Sequence, residues 1–384
     1  MKNKEKYVGL KEKKKFYLDE FYKLSKGMLM QLGEMDYPIY DKLIIILQEK
    51  IHSKIIGYPI TANKTPELIT KWYKEKYKLN IKPKEVIIHT GALTAILTIL
   101  NTFLEDKSLV LIDNPVYVKF KEIIFSSKFK LVENILDEKG NSYIHNFYKL
   151  EENLKKADAY ILCSPHNPSG TIWGKEELRV ISFLCDKHSV LLISDEVHGD
   201  LTFKDYKFIS MIEMNSNAIV INSNSKSFNL SGLSIAYTIC NNLLYNEMIR
   251  NEMNNYNLKN ENTLNLLALE VVYINGLEWL TNTVNRIQYN YDYLQEALIR
   301  LLPKLKIFEL QASYFIWIDF SEYFFSERDF ESFLIDKCKI IPLFGKNFGE
   351  KYQYFIRVNI AVDLIEIKKF IHRISSNIFG MATM

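Results

Sequence analysis

Short apolar runs alternate with longer stretches of helical spacing from residue 85 to residue 222. The runs are Glu85-Val86-Ile87-Ile88-His89, Leu109 to Ile112, Ala159 to Cys163, Val190 to Ile193 and Ala218 to Asn222. They are too short for helices and rich in branched side chains, so they predict strands buried on both faces. Thr90 to Leu104, Val116 to Phe125 and Glu176 to His188 predict the intervening helices. Such alternation predicts right-handed βαβ units and a parallel sheet covered by helices on both sides. From Leu243 to Arg300 the pattern is helical, notably over Leu264 to Tyr273 and, after Gly276, Trp279 to Leu301. Beyond it, Lys306 to Leu310, Tyr314 to Phe320, Ile340 to Phe344 and Phe355 to Ile360 predict strands, with helices near Asp329 and Asp363. Near the front, Leu43 to Ile51 has the apolar density of a packed helix.

This pattern predicts an α/β protein with a large domain over residues 46–278 and a smaller α+β domain over 279–384, against which residues 1–45 pack. The length of 384 residues agrees, since single cores stop growing near roughly 250–300 residues. A formal charge of +3 is too small for an obligate nucleic-acid binder and leaves small molecules as the expected partners. Cys163, Cys185, Cys240 and Cys338 are scattered, without the paired spacing of a zinc site or a disulfide framework. A reducing cytoplasm and no metal are expected. Lys2 to Lys15 reads as a solvated leader without an apolar signal core, and no segment approaches the ~18–20 apolar residues that span a bilayer. No membrane contact is expected.

The chemistry collects where strands end. Asp113-Asn114-Pro115-Val116-Tyr117, Ser164-Pro165-His166-Asn167-Pro168-Ser169-Gly170 and Ser194-Asp195-Glu196-Val197-His198-Gly199-Asp200 each follow a predicted strand. So does Ser223-Asn224-Ser225-Lys226-Ser227, and open α/β sheets bind ligands at their strands' carboxyl ends. Low dielectric there favours a neutral amine, which makes Lys226 a candidate nucleophile; a surface lysine in a serine-rich loop is the plain alternative. Thr90-Gly91-Ala92-Leu93 joins a strand to a helix start, where free amides favour a phosphate, although many such turns bind nothing. Arg357, flanked by Ile356, Val358 and Ile360, needs an anion, either a structural carboxylate or a ligand. Gly33 allows backbone to approach a ligand, and Tyr58 in Gly57-Tyr58-Pro59 is by default a loop tyrosine.

Together and in this order, Pro165 to Gly170 with Trp173, Ser194 to Leu201, Ser225 to Leu233, Tyr314 to Asp319 and Arg357 to Ala361 resemble a known family. It is the fold-type I pyridoxal-phosphate enzymes of the class I/II aminotransferase superfamily, and within them the cystathionine β-lyase-like branch of MalY/PatB C–S lyases. The resemblance covers Gly33 to the carboxyl terminus and implies the PLP-dependent transferase fold, with a mixed, mostly parallel sheet between helices. It implies that Lys226 bonds covalently to pyridoxal 5'-phosphate and that Asp195 keeps the ring nitrogen protonated. Asn167 would hold the ring hydroxyl, Tyr117 would stack on the ring, and His198 would support the same polar edge. The Ala92 and Leu93 amides, with the Ser223 and Ser225 hydroxyls, would hold the phosphate. Tyr58 would reach it from the other subunit of a homodimer with shared active sites. Arg357 would clamp the substrate α-carboxylate, with Asn167 and Gly33 beside the substrate.

Two departures stand out. Gln31-Leu32-Gly33-Glu34-Met35-Asp36-Tyr37 occupies the place of Trp-Val-Ala-Asp-Met-Asp-Phe in the lyase branch, and Ser234 stands where many aminotransferases carry a phosphate-binding arginine. The resemblance implies β-elimination from a small amino acid, with Lys226 and Tyr117 at the reacting centre and thiol, pyruvate and ammonia as products. Transamination by the same lysine and ligand sensing by a regulatory protein are the other readings.

Overall fold

The computed structural model describes residues 27–59, 64–258 and 262–382; the lysine-rich leader lies outside them. Seven strands form one sheet in the order Val86–His89, Ala236–Ile239, Ile219–Asn222, Leu191–Asp195, Ala159–Cys163, Leu109–Asn114 and Lys130–Ile135. All neighbours are parallel except Ala236–Ile239, which runs antiparallel to both of its own. The apolar runs are continuous because alternate residues serve different cores. Ile161 and Ile193 point into one with Ala95, Ile99 and Phe120, whereas Tyr160, Leu162 and Leu192 point into the other.

The pattern did not announce two of these strands. Lys130–Ile135 lies at a sheet edge, where lysine, glutamate and asparagine are tolerated, and has only Asn134 fully buried. Ala236–Ile239 is short and follows a polar loop, yet every residue is buried between two partners.

The C-terminal unit carries an antiparallel sheet in the order Lys306–Ile307, Phe315–Asp319, Phe355–Asn359 and Leu343–Phe344. Its first strand is shorter than expected because the Glu309 amide turns away to the Asn141 carbonyl. The expected strand over Ile340 to Phe344 divides at Pro342, which has no amide proton to donate. Ile340–Ile341 pairs instead with Met28–Leu29. From there the N-terminal segment runs along the small sheet: the Asn359 amide donates to the Met30 carbonyl at 2.7 Å and the Asp36 amide to the Ala361 carbonyl at 2.8 Å.

The helix expected near Leu43 forms over Asp41–His52 and packs against Thr263–Asn275 along one side, leaving the other side open. Only Leu43 is buried, while Ile45 and Ile51 are more than half exposed. The apolar surface continues through Ile55 and Ile56. Among the described residues no helix is long and apolar enough to cross a membrane.

Candidate active site

A cavity of about 390 Å³ opens at the carboxyl ends of the large sheet, closed on its far side by the N-terminal segment and the small sheet. Every site residue nominated above lines it except Tyr58, which is 93% exposed on the loop after Asp41–His52. Within a single chain Tyr58 is therefore outside the cavity.

Lys226 follows the strand Ile219–Asn222 in the short helix Asn224–Ser227. Ser223 caps that helix by accepting from the Ser225 amide at 3.0 Å and donates its own proton to the Ile235 carbonyl at 2.5 Å. Both Ser223 and Ser225 line the cavity, and here the Ser223 proton goes to the main chain. The Lys226 amine donates to the Gly33 carbonyl at 3.1 Å and to Ser231 Oγ at 3.3 Å. Burial and the facing Arg357 push its pKa down to about 8, against the opposing pull of Glu34 and Asp195.

Asp195 ends the neighbouring strand Leu191–Asp195 and accepts from the Val197 amide at 3.2 Å. Burial lifts its pKa to about 6. His198 is held neutral by burial and by the cations Lys226 and Arg357, and its buried Nδ1 has no hydrogen-bond partner. Tyr117 follows the strand Leu109–Asn114, and burial raises its phenol pKa.

Arg357 enters from the small sheet. Its Nη1 donates to Asn167 Oδ1 at 2.9 Å, its Nη2 to the Gln31 carbonyl at 3.2 Å, and its guanidinium carbon lies 3.8 Å from the Phe315 ring centre. Burial lowers its pKa to about 10, so it stays charged. Its partners are neutral, no described carboxylate pairs with it, and the buried Nε has no acceptor. Of the two anions the sequence left open, the described residues do not supply the structural one.

At the opposite end the helix Ala92–Phe103 points its start at the cavity. Its cap, Gly91, has φ +135° and no side chain to cover the first amides, so those of Ala92 and Leu93 face the cavity with no intrahelical partner. Ser225, Ser234, Thr90 and Thr94 line the same wall.

The sequence did not single out several residues that build this site. Tyr314 donates to the Gly33 carbonyl at 2.9 Å, and Asn359 Nδ2 donates to the carbonyls of Leu32 at 2.8 Å and Glu34 at 2.6 Å. Asn229 clasps the same segment through Met35 and Tyr37. Each lies in or beside a motif already quoted, but its role is a contact to main chain 192 to 327 residues away in sequence, which no local pattern encodes.

A lysine and a buried carboxylate at the carboxyl ends of adjacent parallel strands, a helix start with free amides and an arginine from a second unit define the class of fold-type I pyridoxal-phosphate enzymes. The family model described as aminotransferase class I and II matches residues 29–374, and the chain belongs to that family. It is 27% identical to cystathionine beta-lyase PatB of Bacillus subtilis over 93% of this chain and 94% of that protein. Protein MalY of Escherichia coli is 24% identical over 88% of each. Cystalysin of Treponema denticola, whose crystal structure contains pyridoxal 5'-phosphate, superposes with a TM-score of 0.90 at 25% identity, over 97% of this chain and 96% of that one.

Proposed function

We propose that this protein is a pyridoxal-phosphate-dependent carbon–sulfur β-lyase acting on a small amino acid with a sulfur substituent at Cβ, and that it works as a cytoplasmic homodimer. The observation that carries the reading is one cavity in which a buried, easily neutralised lysine faces a buried arginine that no carboxylate pairs with. The kinship with proteins named cystathionine beta-lyase supplies the reaction class. The residues fit the cofactor on their own chemistry. Asp195 is a buried acid without an ion-pair partner among the described residues, His198 has an orphaned nitrogen, and the amides of Ala92 and Leu93 lack acceptors.

When bound, pyridoxal phosphate supplies an electron sink for the negative charge left at Cα. Lys226 would anchor it, and its amine is the group placed to take the Cα proton of the substrate. Asp195 would hold the ring nitrogen, Tyr117 would lie against the ring, and Asn167 and His198 would hold its polar edge. The helix start with Ser225 and the neutral Ser234 holds the phosphate. Arg357, steadied on Phe315, holds the substrate carboxylate and so aims Cα at Lys226. The assignment of residues 1–45 to the small domain is supported by the main-chain bonds that tie the segment after Met28 to Ile340–Ile341, Asn359 and Ala361.

Incubation of the holoenzyme with cystathionine, cysteine and amino acid and keto acid pairs tests the reaction. Pyruvate and thiol in equal amounts are expected. A new amino acid without pyruvate would place the protein among the transaminases instead.

The dimer reading rests on the uncovered side of the apolar helix Asp41–His52 and on exposed Tyr58 beyond it. A two-fold interface makes contacts in reciprocal pairs, so each cavity receives Tyr58 from the other subunit. Mixing inactive Lys226→Ala chains with impaired Tyr58→Phe chains should restore partial activity, because each hybrid holds one site with both native residues. Subunit exchange without recovery would leave Tyr58 serving its own chain.

A further inference from the structure

Resting on the reading of Lys226 as the cofactor anchor, we propose that the Gly33 carbonyl and the Ser231 hydroxyl form a resting place for the free amine of Lys226. There the amine is held with its lone pair facing the cavity.

A neutral amine has two N–H bonds and one lone pair. Lys226 has two oxygen acceptors, the Gly33 carbonyl at 3.1 Å and Ser231 Oγ at 3.3 Å. With both protons directed at these oxygens, the remaining sp3 direction belongs to the lone pair. Both acceptors are neutral. A carboxylate in their place would favour the ammonium form, whereas a carbonyl and a hydroxyl orient the amine without adding a full negative charge. Arg357, across the cavity, also disfavours the ammonium, while Glu34 and Asp195 favour it.

The carbonyl is fixed independently of the lysine. Tyr314 donates to it at 2.9 Å, and Asn359 holds the carbonyls on either side of it. Ser231 Oγ lies 3.3 Å from the same carbonyl and 3.4 Å from the Ser225 carbonyl, so its proton has acceptors of its own while its lone pairs receive the amine. The resting place exists because residue 33 lacks a side chain: a Cβ there would lie 2.8 Å from Lys226 Nζ and 3.5 Å from the Phe315 ring. Ser231 and Gly33 are thus positioning residues that act through Lys226.

The test compares Ser231→Ala, Ser231→Thr and Gly33→Ala with the wild type. It reads kcat, KM, thermal midpoint and the rate at which cofactor-stripped protein regains its visible absorbance when pyridoxal phosphate is added. Ser231→Ala should lower kcat and the reloading rate by about fivefold to tenfold, the size of one lost hydrogen bond, with KM and thermal midpoint unchanged. Ser231→Thr should restore both rates, and Gly33→Ala should lower kcat further by displacing the amine. Wild-type kcat and reloading in Ser231→Ala, or equal losses in the alanine and threonine variants, would overturn the proposal. Borohydride reduction of wild-type holoenzyme separates the two readings: label outside the Lys226 peptide defeats the anchor itself, whereas label on Lys226 with an unaffected Ser231→Ala defeats the resting place alone.

Discussion

Two groups of buried ionisable side chains lie at the carboxyl half of the large sheet, and they are treated in opposite ways. Behind the site, His145 meets Glu177 through Nδ1 at 2.7 Å and Asp113 through Nε2 at 3.3 Å. Asp113 also accepts from Asn134 at 2.9 Å and Tyr160 at 2.8 Å. Burial opposes charge on both, but the partners outweigh it: His145 is held up to about 9 and Asp113 below the usual carboxylate range. In the cavity, burial prevails. Lys226, Arg357 and His198 are pushed down and Asp195 up, each toward its neutral form. A charge cluster that completes its own partners holds a structure together, whereas one left incomplete is arranged for a ligand.

The comparison breaks first at Lys226. Lys226→Ala should reduce pyruvate formation by about 10⁴-fold or more, since it removes both the anchor and the base, with the fold intact by circular dichroism. Activity retained in that variant would place the chemistry elsewhere.

His145→Leu should do the reverse, costing stability before function. Removing one member of a buried ion cluster costs about 3–5 kcal/mol, read as a lower urea midpoint. Because His145 is raised from 6.5 to about 9, its contribution is fully present below pH 6.5 and is lost as pH rises through about 9. Urea titrations of both proteins at pH 6 and pH 10 should therefore show a gap that narrows at the higher pH. A constant gap would mean that His145 does not change charge between those two pH values.

Arg357→Ala should raise substrate KM about 10-fold to 100-fold, corresponding to a charge-assisted contact of roughly 1.5–3 kcal/mol, while cofactor content stays the same. If stability falls and KM does not move, Arg357 belongs with the structural group. The smallest effect is expected at Phe315, where the guanidinium rests on the ring. Phe315→Leu removes a contact worth roughly 0.5–2 kcal/mol and should raise KM by less than Arg357→Ala does, with kcat kept. An equal rise would mean that the ring also touches the substrate.

The sequence by itself determined five of the seven strands of the large sheet and the wall of the cavity built on them. Continuous branched runs such as Ala159 to Cys163 specify strands buried on both faces, because period and length are local properties. The polar loops that follow them place Asn167, Asp195 and Lys226 at strand ends wherever the sheet forms. Ala236–Ile239 escaped because its burial depends on two neighbours that are not next to it in sequence. Tertiary structure alone decided the opposite wall. Arg357 could have met a structural carboxylate until its partners proved to be Asn167, the Gln31 carbonyl and Phe315. Ser223, nominated from its own loop, proved to give its proton to the Ile235 carbonyl. The apolar helix after Asp41 looked like core until the fold left one side of it, with Ile45 and Ile51, uncovered. The physical reason is common to the first two and to the place where Lys226 rests: the deciding partner is a main-chain carbonyl or a distant side chain. Every residue carries the same carbonyl, so the sequence does not mark which one a buried side chain will meet.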